Sequence, residues 1–175
     1  SLHDALPISV LKGLSGWSTQ LLGGAIAIPM IAALVVQLII SRTSTRTGDK
    51  VWHVAGALFI GAIGLGLSPF ATDMSTALFL VCLSAIGIYA AMGVWWTIPT
   101  TFLTGPAAAA SVALINSCGN LGGWVGPYMM GWVKTTTGDF HLGYFIMAAC
   151  MFVAGITVLS IKYAWNGQKD RKRVV

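Results

Sequence analysis

Residues Ile115–Trp132 read INSCGNLGGWVGPYMMGW: no charge, two asparagines four apart, five glycines and a proline. In water this would be a poor helix and a poor strand, because proline and glycine are the least favourable helix residues and both are depleted in strands. In hydrocarbon the balance changes. Every backbone N–H and C=O must find a partner inside the segment, so a helix forms despite weak local propensity, and glycine and proline are common in membrane spans.

The rest of the chain favours hydrocarbon. It has 175 residues, 56% hydrophobic and 9% charged, and its mean hydropathy is +0.80. A soluble domain carries ~25% charged residues, so this chain lacks the polar residues to cover a water-facing surface. The 60 residues Met74–Val133 and the 29 between Lys12 and Arg42 are uncharged, and a membrane helix needs only ~20. The expected fold is therefore an all-α polytopic membrane protein. The net charge of +5 does not point to nucleic acid, because the basic residues sit between and after apolar runs, where topology accounts for them. Cys82, Cys118 and Cys150 lie in apolar runs at spacings that fit no metal motif, so they read as small core residues. Neither paired carboxylates, a nucleophile–base pair nor a dinucleotide or phosphate fingerprint is present, so no catalytic residue, metal or cofactor is expected and the chain does not read as an enzyme.

Five transmembrane helices are predicted, at about 19–40, 51–69, 76–99, 108–133 and 142–163. A remnant of a sixth is expected at Ser9–Gly16, and residues 1–11 read as a fragment edge or foreign sequence. The connections are the loop SRTSTRTGDK (Ser41–Lys50), the turn FATDM, the break TTFLTGP and the loop KTTTGDFH. A basic tail occupies 166–175. Alternation puts Arg42, Arg46, Lys50, Lys162, Lys169, Arg171, Lys172 and Arg173 on one side, and Lys12 and Lys134 on the other. Eight against two makes the first side cytoplasmic by the positive-inside rule. Trp52, Trp96, Trp132 and Trp165 fall near span ends, where amphipathic rings favour the headgroups.

On a helix Asn116 and Asn120 share a face, continued by Gly123 and Pro127. Gly119 with Gly123, and Gly122 with Gly126, make small-xxx-small pairs that let helices approach closely. An unpartnered amide in lipid costs a few kcal/mol, so both asparagines should face protein or an aqueous cavity. Either they bond a neighbouring helix or they offer donors and an acceptor to a polar solute. Pro127 predicts a bend. Tyr89, Trp95 and Trp96 lie on the third span, with Ser84, Gly87, Ala91 and Trp95 along one stripe; this is either packing or a cavity wall. Pro29 and the glycine run Gly61–Gly66 read as bends and close contacts. No Asp, Glu, Lys or Arg lies mid-span, so a membrane-embedded proton relay is not expected within these segments.

Two stretches resemble a known group. SRTSTRTGDKVWH (Ser41–His53) is similar to the loop between the eighth and ninth helices of the major facilitator superfamily, and closer still to its anion:cation symporter family of phthalate, tartrate and galactonate permeases. IPTTFLTGPAAAASVALINSCGNLGGWVGPYMMGW (Ile98–Trp132) resembles that family's tenth-to-eleventh helix region, and KGLSGWSTQ (Lys12–Gln20) the loop before its eighth helix. The resemblance implies that residues 12–165 form the C-terminal bundle, helices eight to twelve. It further implies a missing N-terminal six-helix half as partner, alternating access, a small organic anion as solute, a coupling proton or cation, surrounding membrane lipids and a bacterial inner-membrane location. The alternatives are another solute class, such as a sugar or drug, and a structural or channel-like membrane subunit. In such permeases the cationic anchor and coupling acid usually belong to the N-terminal half, leaving polar contacts to Asn116, then Asn120 and Trp95, with Trp96 and Tyr89 behind them. The family's loop pattern resembles S-D-R-x-G, and Thr45 stands where the Asp is expected, before Arg46 and Gly48. The implied consequence is a weakened latch between conformations, with Arg42, Arg46 and Lys50 free to contact the other bundle or anionic lipid.

Overall fold

The computed structural model describes the backbone of residues 19–99 and 105–171, and the side chains of residues 24–99, 105, 106 and 108–163. The segments expected at 1–11 and Lys12–Ser18, the body of the TTFLTGP break and residues 172–175 lie outside the described residues.

Five long helices make up the described residues: α1 Thr19–Thr47, α2 Lys50–Leu67, α3 Met74–Trp95, α4 Gly105–Thr137 and α5 His141–Arg171. A single 3₁₀ turn, Ser68–Phe70, follows α2. Four of them, in α1, α2, α3 and α5, are long and apolar enough to cross a membrane. The exception, α4, is long enough, but its glycines and asparagines dilute its apolar character. The chain is an integral membrane protein.

The largest departure from expectation is at Ser41–Thr47, which continues α1 instead of forming a loop. The reason is local. Thr43 Oγ1 donates to Ile39 O at 3.0 Å, Thr45 Oγ1 to Ser41 O at 2.9 Å and Thr47 Oγ1 to Thr43 O at 2.9 Å, so the hydroxyls fold back onto the helix. Gly48 then stops it. Its φ of +71° is left-handed, and its N–H donates to Ser44 O at 3.0 Å, which closes the helix end. Asp49 starts α2 by accepting from Trp52 N at 3.3 Å. The link between α1 and α2 is thus two residues long. The same scheme recurs after α4: Gly138, at φ +84°, donates to Lys134 O at 3.0 Å, and Asp139 accepts from His141 N at 2.8 Å. Asp73 caps α3 through Thr76 N at 2.7 Å, and this hydrogen bond, with a second from the Thr76 hydroxyl, holds its carboxyl below the usual carboxylate range. The third span ends at Trp95, four residues earlier than expected, while the fifth helix runs beyond the expected span to Arg171. Helix assignment is continuous across Pro29 and Pro127.

The packed order is α1, α3, α2, α5. The seam between α2 and α3 is backbone on backbone. A Cβ on Gly87 would collide with Gly61 Cα, and one on Gly64 would sit 2.8 Å from Leu80 O. Small side chains continue the seam: Ala55, Ala57, Ala90 and Ala91 are buried with Val54, Val94 and Val158. In lipid such close approach is the main source of helix cohesion, because water is not there to drive association. The glycine run of α2 is mechanical, as its pattern implied. By contrast α4 meets the body mainly at α5, where Met130 lies against Gly143 and Val133 is buried. Further up, Leu114, Leu121 and Trp124 are about two-thirds exposed (67%, 66% and 70%).

Candidate functional site

A groove of about 890 Å³ opens between α3 and α5, floored by Val54 and Leu58 of α2. Ile88, Met92, Trp95 and Trp96 form one wall, and the face of α5 from Ile146 to Ile161 forms the other. No charged residue lines it. Thr157 turns its hydroxyl onto Val153 O at 2.8 Å, leaving the Cys150 thiol and the two indoles as the remaining polar groups. Such a surface accepts an apolar group or a helix face. It holds no cation to anchor a carboxylate.

The groove brings Trp95 and Trp96 together, and Trp95 also packs on the α2–α3 core. Ser84, Gly87 and Ala91, on the same predicted stripe, are buried as packing residues. Tyr89 is half-buried on α3 and does not line the groove. Asn116 and Asn120 lie elsewhere, exposed on α4. Gly119, Gly122 and Gly123 are exposed beside them, Gly126 and Pro127 are half-buried, and the space around a Cβ at any of the four glycines is open. The predicted solute contacts therefore fall into two groups on different helices.

A second constellation, which the motifs did not mark, ties helix ends together beside the groove. Asp49 caps α2 and also receives Lys162 of α5 in an ion pair and hydrogen bond. Lys162 sits over the Trp52 ring, 5.8 Å from its centroid. His53 Nδ1 donates to Asp49 O at 2.6 Å in the tautomer this contact requires. Lys50 Nζ donates to Thr97 O at 3.1 Å, just past the end of α3. The hydrogen bond from Lys162 is the main cause holding the Asp49 carboxyl below its ordinary range, with partial burial opposing it and the Trp52 amide assisting. Asp49 and Lys50, side by side where α2 begins, thus tie that helix start to α5 and to the residues just past α3. The T-G-D stop–start grammar is visible in the sequence, but nothing local marks Lys162, 113 residues away, as its partner. On the last turns of α1, Arg42, Thr45 and Arg46 are exposed, as is Gly48 just beyond them, and the Thr45 hydroxyl stays on its own helix.

No protein-family model and no solved structure matches the chain. Curated relatives do. A protein of Agrobacterium vitis, provisionally named a tartrate transporter, is 44% identical over 156 residues, which cover 88% of this chain and 36% of that protein. The quinolone resistance transporter of Acinetobacter baumannii is 35% identical over 89% of this chain and 36% of its own length. The inner membrane transport protein RhmT of Escherichia coli K12 is 32% identical over 78% of this chain and 32% of its own. The chain spans about a third of the length of the curated relatives it matches. In sequence, it is related to a segment of bacterial proteins named as transporters.

Proposed function

We propose that residues 12–165 are helices eight to twelve, the C-terminal bundle, of a major facilitator transporter of the anion:cation symporter type. It would move small organic anions, first among them hydroxy-dicarboxylates, by alternating access with a proton or cation. The observation that carries this reading is the 44% identity to proteins provisionally named tartrate transporters. The groove supplies no cation, so under this reading a carboxylate would take its cation from the N-terminal six-helix partner. Asn116, then Asn120 and Trp95, with Trp96 and Tyr89, would supply polar and aromatic contacts once that partner is in place. The open stripe Gly119–Gly126 and Pro127 would seat it. Thr45 would leave the latch between conformations weaker than an Asp would; Thr45→Asp in the full-length protein should then shift the populations of the two access states. The location would be the inner membrane, with the α1–α2 link and the tail at 166–175 in the cytoplasm.

The deciding experiment reconstitutes the full-length protein in liposomes and follows labelled tartrate under an imposed proton gradient. Uptake that collapses with the gradient, and falls at least tenfold in Asn116→Ala, is expected. A second reading, transport of a drug, draws on the quinolone-resistance relative. Gradient-driven movement of a quinolone, with tartrate inert, would replace the first reading with the second.

A further inference from the structure

We infer that Gln37 of α1, lying across Gly93 of α3, binds the hydroxyl groups of the transported solute. The inference rests on the transport reading above and deepens it.

Ala25, Pro29, Ala33 and Gln37 follow each other at four-residue steps, so they form one row along α1. The first three are buried, and α1 packs chiefly along α3. Small apolar side chains of this kind let helices approach closely in lipid. Gln37, half-buried, is the next residue in the row and breaks the pattern with an amide. Gly93 makes room for it. A Cβ there would sit 2.8 Å from Gln37 Cγ and 2.9 Å from its Nε2, so the side chain crosses α3 where α3 has none of its own.

Packing does not account for that amide. A methionine of the same length would fill the space without a polar group, and an amide taken into an apolar seam costs free energy unless it is hydrogen-bonded. Among the described residues Gln37 has no hydrogen-bond partner. No enclosed side-chain nitrogen or oxygen among them lacks a partner either, so the Gln37 amide opens onto the outside of the seam. Tyr89, Gly93 and Trp96 stand at i, i+4 and i+7 on α3 and share a face. Tyr89 and Trp96 are half-buried there, each an apolar ring with one polar tip, on either side of the glycine that carries the amide.

The chemistry of the group narrows what it binds. An amide offers two donors and an acceptor without net charge. A hydroxyl both gives and accepts a hydrogen bond, so it matches an amide, whereas a carboxylate takes its strongest bonds from a cation. Gln37 therefore selects a hydroxy acid over the same acid without hydroxyls, and the carboxylates are left to cations elsewhere in the full-length protein.

The test compares uptake of tartrate with that of succinate, the same dicarboxylate without hydroxyls, by the full-length protein in liposomes. Wild type should favour tartrate. Gln37→Met keeps the length and removes the amide; it should lower the tartrate-to-succinate ratio of kcat/KM about tenfold, the loss of one hydrogen bond to the solute. Gly93→Ala should lower the ratio in the same direction. The atoms nearest its methyl all belong to the flexible Gln37 side chain, so the amide is displaced while the thermal midpoint holds. Combining the two should add nothing to Gln37→Met alone, because both act through one amide. A wild type that carries both acids equally, or whose preference survives in Gln37→Met, overturns the assignment and leaves the transport reading standing. Additive losses in the double variant overturn it as well. A wild type that carries neither acid overturns the transport reading, and this assignment with it.

Discussion

Helices α1 and α4 both contain a proline, Pro29 and Pro127, and both end in Thr-Gly-Asp, at 47–49 and 137–139. Their C-terminal turns have the same backbone: a left-handed glycine, an N–H returning to the residue four before it, and an aspartate capping the next helix. Their surroundings differ. Helix α1 lies along α3, and Gly93 of α3 is pressed against Gln37. Helix α4 meets α5 around Met130, and its glycine face is open. Asp49 reaches across to Lys162, whereas Asp139 stays with His141 next door, 4.0 Å from its Nδ1. Helix stops are thus set by three local residues, while partner choice is set by side chains far away in sequence.

The glycines give the sharpest way to break this comparison. Gly87→Leu drives a side chain into the backbone of Gly61 and should destabilise by about 3 kcal/mol or more, at or above the upper end of overpacking. Gly123→Leu on α4 meets open space and should change the thermal midpoint little. If both variants lose stability alike in a thermal melt, the open face of α4 is covered in the protein. The turns come next. Gly48→Ala and Gly138→Ala force an L-residue into the left-handed region, which should cost about 1–2 kcal/mol each and by similar amounts. Unequal losses would show that packing, and not only the local turn, holds one of the two stops.

The smallest effect is expected at Asp49. Asn caps a helix nearly as well as Asp, so Asp49→Asn removes chiefly the charge opposite Lys162, worth less than ~1 kcal/mol for a partly exposed pair. Its pH signature carries more information than its size. Because the folded carboxyl is held below the ordinary carboxylate value, the stabilisation is present above that value and lost as pH falls through the folded one. Wild type should therefore lose more stability than Asp49→Asn between about pH 4 and the acid limit. Asp73 acts in the same direction and is common to both. Parallel acid curves would remove Asp49 from the account.

These contrasts also mark what the sequence could reveal. Uncharged runs announced the helices, because hydrocarbon tolerates little else. The same hydropathy logic misread Ser41–Thr47, whose polar side chains suggest a loop until their hydroxyls are allowed to bond the helix carrying them. Glycine spacing was informative on α2 and α3, where a facing glycine is present, and left α4 without a partner to name. Trp95 was legible as either packing or a cavity wall; it packs on the α2–α3 core and borders the apolar groove. The Asp49–Lys162 pair was beyond local reading, because a lone lysine near a span end looks the same whether it meets water, lipid or a carboxylate.

Where Gly61 meets Gly87, two main chains touch with no side chain between them. Cohesion of that kind is dispersion between fixed surfaces and owes little to the ordering of solvent. It should therefore fade little on cooling, unlike the interior of a water-soluble protein. It also admits no gradual loosening: the two ridges either mesh or part, which makes α2 and α3 a single mechanical unit in any motion of the remaining helices.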